Sequence, residues 1–129
     1  MRGSAAERSE GGGRMTSAAF VAHRFVTAVD RRDWASLSEL VDESTTVLYV
    51  HDGRRMSGPE WVRFNADYPG RWSFVAEDIV ATDTRAVVRA RVFDEETTFH
   101  VASFLTVADG RITDLTEVWA DGHPAAIEE

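Results

Sequence analysis

The sequence predicts an α+β fold in which helices cover one face of a curved, mainly antiparallel sheet. Three observations carry this. Apolar residues recur at three- and four-residue spacings up to Tyr68, which is helical periodicity. From Trp72 onward, β-branched and aromatic residues dominate runs of strand length. The pair Asp109-Gly110 then supplies a tight turn between two such runs. Helices first and strands after is the segregated α+β order. With 129 residues, 43% of them hydrophobic, the chain is long enough for one core and one domain.

The elements follow in order. Residues 1–14 hold Gly11-Gly12-Gly13 and charges, with no large apolar side chain after Met1, so they read as a disordered tail preceding a single domain, 15–129. Met15 offers an alternative start. Thr16 is a plausible N-cap for a helix whose stripe is Ala18, Val21, Ala22, Phe25, Ala28 and Val29. Asp33 caps a second, short helix with Trp34, Leu37, Leu40 and Val41 inward. Thr45 to His51 is a strand ended by Asp52-Gly53, and a short strand follows. Gly58-Pro59-Glu60 opens a third helix with Trp61, Phe64, Asn65 and Tyr68 at helical spacing, closed by Pro69-Gly70. Strands are expected at 72–81, 85–94, 97–108 and from Arg111. Asp94-Glu95-Glu96 reads as a solvated hairpin turn.

Composition excludes several kinds of chemistry. Without cysteine there are no disulfides, thiol nucleophiles or thiolate metal sites. All 14 basic residues are arginines, which removes Schiff-base chemistry and a phosphate-loop lysine. A net charge of -8 with no basic stripe argues against nucleic acid as a partner. No apolar run is long enough to span a membrane, and no signal-peptide core appears, so the expectation is a soluble cytoplasmic domain. His23, on the polar side of the first helix, and His123 pair with no second ligand at metal spacing, so no metal and no cofactor are expected.

One residue stands out against its surroundings. In the final strand Thr113, Leu115, Glu117 and Trp119 share one side by alternation, which places an acid among apolar neighbours. A carboxyl there must find partners or shift its pKa upward, which is how a chain makes a general acid or base.

The order of elements resembles the SnoaL-like family of the nuclear transport factor 2-like superfold. Gly58-Pro59-Glu60, Arg71-Trp72 and Asp109-Gly110-Arg111-Ile112 followed by Glu117-Val118-Trp119 carry the likeness, which covers nearly everything from Thr16 to Asp121. It implies a cone-shaped barrel, the sheet wrapped over about three N-terminal helices around a deep pocket. Relatives include polyketide cyclases, ketosteroid isomerases, limonene-type epoxide hydrolases, dehydratases and members without catalysis.

Carried over residue by residue, the resemblance gives a partial constellation. The isomerases' base falls on Tyr49 and their oxyanion-hole aspartate on Ala102, so both carboxyls are missing. Tyr49 is then a hydrogen-bond donor to substrate or a satisfied core tyrosine. The epoxide hydrolases' acid falls on Glu117 and their arginine on Arg91, but their second aspartate is Phe93 here. Arg91 and Glu117 form either a catalytic pair or a structural one. His51, two residues after Tyr49, and His100, two before Ala102, are the histidines assigned to the pocket face. Thus Glu117, Arg91, His51 and His100 are the catalytic candidates, and Tyr49, Trp72, Trp119, Phe93 and Tyr68 the substrate-binding ones.

Two functions fit this reading. One is a cofactor-independent acid/base enzyme of secondary metabolism that cyclises, isomerises or hydrolyses an apolar oxygenated small molecule. The other is a non-catalytic ligand-binding or assembly module. Phe99, Val101, Leu105 and Val107, with Thr116 and Val118, are expected on the outer sheet face, where their apolarity predicts a homodimer.

Overall fold

The computed structural model describes residues 16–121; the tail at 1–14 and His123 lie outside the described residues. Helix α1, Ala18–Arg31, buries Ala18, Val21, Ala22, Phe25 and Ala28, the stripe its spacing predicts. Its N-cap is Ser17, whose side chain accepts from the Phe20 N–H, one residue beyond the expected Thr16. At its far end the Arg32 N–H reaches the Val29 carbonyl and the Asp33 N–H the Ala28 carbonyl, the paired bonds of a Schellman cap. Asp33 in turn caps helix α2, Trp34–Ser38, so the corner between the helices has no free linker.

Strand β1, Thr46–Tyr49, turns through Asp52-Gly53 into β2, Arg54–Ser57. Gly53 takes the left-handed backbone, φ 72°, that the turn requires. Helix α3, Gly58–Asp67, starts at a capping box: Ser57 accepts from the Glu60 N–H while Glu60 accepts from the Ser57 N–H. The long strands are β3, Ser73–Ala81; β4, Arg85–Phe93; β5, Thr98–Ala108; and β6, Arg111–Asp121. Between β4 and β5 the Asp94 carboxylate accepts from the Glu96 and Thr97 N–H groups, so the acidic run is a turn.

The six strands form one curved sheet in the order β2-β1-β6-β5-β4-β3. Only the β1–β6 pair is parallel. The sheet is open, with β2 and β3 as its edges, so the expected barrel is a curved half-cone completed by helices. Helices and inner sheet face meet in a core that includes Phe25, Leu37, Leu40, Trp61, Leu105 and Leu115. Each such side chain contributes about 2 kcal/mol by leaving water.

One irregularity decides which residues face that core. A two-residue turn at Asp109-Gly110 pairs Ala108 with Arg111 and Val107 with Ile112. The register then shifts, and Thr106 pairs with Asp114, leaving Thr113 without a counterpart. This is a β-bulge, and the Thr113 hydroxyl donates to the Thr106 carbonyl across it. Because side chains alternate, a one-residue slip exchanges the faces of one strand relative to the other. Hence Val101, Ser103, Leu105 and Val107 are buried, while His100 and Phe104 point outward. The sequence expectation had Val101, Leu105 and Val107 outward and His100 on the pocket face.

Gly58 is required by close approach. A Cβ there would stand 2.5 Å from the Asp42 carbonyl oxygen and 2.7 Å from the Val41 Cβ. Gly58→Ala is expected to destabilise the fold by about 1–3 kcal/mol through overpacking. Urea unfolding measures this, and an unchanged midpoint would contradict it.

Candidate active site

Register brings three side chains into a row. Tyr49 on β1 pairs with Glu117 on β6, and Glu117 pairs with Ser103 on β5. All three face the helices, and each is at most 4% exposed. The Ser103 hydroxyl donates to Glu117 Oε2 at 2.7 Å. The Trp119 indole N–H, two residues on and on the same face, donates to Oε1 at 3.0 Å. The Tyr49 hydroxyl, at the paired position on β1, also favours the charged form of this carboxyl.

Among the described residues no arginine forms an ion pair with Glu117. Burial therefore dominates and raises its pKa above the ordinary 4.5. The hydrogen bonds from Ser103 and Trp119, with Tyr49 and the nearby His51, pull it partly back. Burial, together with the neighbouring Glu117 charge, pushes the Tyr49 pKa far above its usual 10. Tyr49 is thus a neutral donor across the physiological range. Asn65 and Trp61 on α3 lie on its other side and partly offset this rise. The Trp61 N–H is buried and makes no hydrogen bond of ordinary geometry.

Above this row opens a cavity of about 690 Å³. Six aromatic side chains encircle it, each ring packed on the next: Tyr49, Phe64, Tyr68, Trp72, Phe99 and Trp119, with centroids 5.7–6.4 Å apart around the closed circuit. His51 joins at the side of Tyr49, with ring centroids 5.8 Å apart, and is half exposed beside Asp52. All four tryptophans of the chain line the cavity.

Of the sequence-derived candidates, Glu117, His51, Tyr49, Tyr68, Trp72 and Trp119 all border this cavity. Arg91, His100 and Phe93 do not. Arg91 pairs in register with His100 on the outer face, binds Glu77 at 3.2 Å, and lies over the Phe93 ring at 4.5 Å. In β4 it is Val92 that reaches the cavity, so an ungapped match to Arg91 and Phe93 selects the wrong face. Ala102, outward beside Val118, likewise yields its place to Ser103. Ser103, Asn65 and Trp61 were missed by sequence reasoning. The signal for Ser103 was a lone polar residue in the alternation Val101, Leu105, Val107; for Asn65 it was its position one turn after Trp61.

The comparisons agree with this architecture. Residues 22–115 match the SnoaL-like domain, and the chain belongs to that family. Among solved structures, a candidate ketosteroid isomerase from Kribbella flavida superposes with a TM-score of 0.77 at 22% identity, over 87% of this chain and 82% of that one. An LEH-like epoxide hydrolase of M. tuberculosis gives 0.64 at 18%, over 78% and 80%. IdmH from Streptomyces antibioticus, a candidate polyketide cyclase, gives 0.66 at 14%, over 78% and 90%. At these identities the likeness is one of fold. No curated protein matches the chain.

The raised pKa has a consequence for stability. A carboxyl whose folded pKa exceeds its unfolded value stabilises the fold below the unfolded value, about 4.5 here, and that contribution is lost as pH rises through the folded pKa. The exposed Asp33 and Asp42, held low by hydrogen bonds from Ser36 and Ser44, act in the opposite sense. The readout is therefore a difference. Glu117→Gln should gain stability relative to the native chain as pH rises above about 4.5. Tyr49→Phe, which removes a donor, should raise the Glu117 pKa further and extend the upper end of that window. Parallel unfolding curves at all pH values would show that Glu117 does not titrate as described.

Proposed function

We propose that this protein is a cofactor-independent acid/base enzyme acting on an apolar, oxygenated small molecule, a cyclase, isomerase or epoxide hydrolase of secondary metabolism. The supporting observation is a carboxyl without a cation, buried at the base of an aromatic cavity and hydrogen-bonded to Ser103 and Trp119. Such a group is more basic than a solvated carboxylate and can take a proton from carbon beside a carbonyl. The proton moves to Glu117, and the electron pair of the broken C–H bond moves onto the carbonyl oxygen as an enolate. Once Glu117 is protonated it no longer competes for the Tyr49 proton, and that neutral hydroxyl can turn to stabilise the oxygen. Return of the proton to another carbon completes an isomerisation, and attack of the enolate carbon on a second carbonyl closes a ring. In its protonated form the same carboxyl can donate to an epoxide oxygen. His51, at the cavity mouth, suits proton exchange with solvent.

The test is deuterium exchange into flat cyclic ketones and enones, followed by NMR, with epoxide opening assayed beside it. Glu117→Gln keeps the side chain's volume and should lower turnover about a hundredfold or more. Ligand binding with no turnover in the native chain, or turnover unchanged in the variant, would favour a binding module and remove the catalytic role.

We also propose a homodimer through the outer sheet face. Its basis is the patch of Phe104 and Val118, both partly exposed beside Ala102; Val118 is retained from the sequence expectation, and Phe104 replaces the inward-facing Val101, Leu105 and Val107. Light scattering at micromolar concentration should return twice the chain mass, and Val118→Arg should return a single one. A monomeric native chain would rule this out.

A further inference from the structure

Arg32 occupies a backbone position that disfavours its own residue type. It ends α1 at φ 56° and ψ 38°, in the left-handed region, where a Cβ crowds the backbone and glycine is the usual occupant. A residue kept there against that preference points to work done by its side chain. That side chain lines the cavity, and its Nη2 donates to the Trp72 carbonyl at 2.9 Å. One of five guanidinium N–H donors is thereby used. No carboxylate pairs with Arg32 among the described residues. The cavity's other arginine, Arg54, is already engaged with Asp52 at 3.7 Å and lies over the Phe64 ring at 4.8 Å.

The charges around the cavity are therefore uneven. Glu117 lies at the base, and Asp52 is matched by Arg54. Arg32 stands beside Trp72, while Asp121 ends β6. A guanidinium with free N–H groups in a fork fits a carboxylate in two-point contact. We propose that the ligand of this cavity is an anionic amphiphile, with a flat apolar body inside the aromatic circuit and a carboxylate held at the mouth by Arg32. This names a substrate class for the site described above and rests on its reading as a substrate pocket.

Two dyes of one skeleton test it: 1-anilinonaphthalene-8-sulfonate, which is anionic, and N-phenyl-1-naphthylamine, which is neutral. Dye emission excited through the cavity tryptophans reports binding to the chain, and the Arg32 variants tie that binding to the cavity. The native chain should bind the anionic dye about fivefold more tightly than the neutral one, the size of one exposed ion pair. Added salt should narrow the gap. In Arg32→Gln the two affinities should converge within about twofold, with the neutral dye unchanged. Arg32→Gly should behave alike and, by relieving the left-handed backbone, provides a folded comparator if the first variant melts early.

Equal affinities in the native chain, a preference for the neutral dye, or equal weakening of both dyes by the variants would overturn the proposal and leave the acid/base reading standing. Failure of both dyes to bind would overturn the proposal and the substrate-pocket reading together.

Discussion

Thr113 is one residue more than the β5–β6 hairpin can pair, and the inner face of the sheet depends on that surplus. Without the bulge, the turn at Asp109-Gly110 would set Ala102 opposite Glu117 and carry His100 to the cavity face. With it, Ser103 stands opposite Glu117 and closes a hydrogen bond of 2.7 Å to the carboxyl. The same slip turns Val101, Leu105 and Val107 inward, where they join the buried inner face. A single inserted residue thus sets both the packing and the polarity of the site.

The site is a balance between two opposed effects. Removing the Glu117 carboxyl from water favours its protonated form, and three donors favour the charged one. Burial wins because no full positive charge is paired with the group. An arginine at Arg91's distance from Glu77 would reverse the outcome, since a close guanidinium stabilises a carboxylate more than neutral donors do. In this chain that arginine is spent on the outer face, in an ion-pair cluster with Glu77 and Arg89. Tyr49 cannot supply charge either, because its own burial holds the phenol neutral.

Relatives of this fold are named for isomerase, epoxide hydrolase and cyclase activities, and the structures compared share at most 22% of residues with the chain. Fold alone therefore selects none of these reactions. A tyrosine occupies β1 and the carboxyl lies one strand over, on β6, at the paired position. Parallel pairing makes the two side chains neighbours on one face, so a donor and an acid meet although 68 positions separate Tyr49 from Glu117.

The α+β class, all three helices and the four long strands within about two residues were legible in the sequence, because periodicity, caps and turn residues act locally. Glu117 was legible too, as an acid in an apolar alternation, and so were the aromatic side chains Trp72 and Trp119. The faces of His100, Arg91 and Phe93 were not. Alternation within one strand is a local property, but the face a strand turns to its neighbour depends on register, and a one-residue bulge resets that register with little local signature. The surroundings of Glu117 were likewise decided by pairing between β1, β6 and β5, and the closed aromatic circuit by the packing of α3 against the sheet. Those contacts join residues far apart in the chain, so only the folded molecule brings them together.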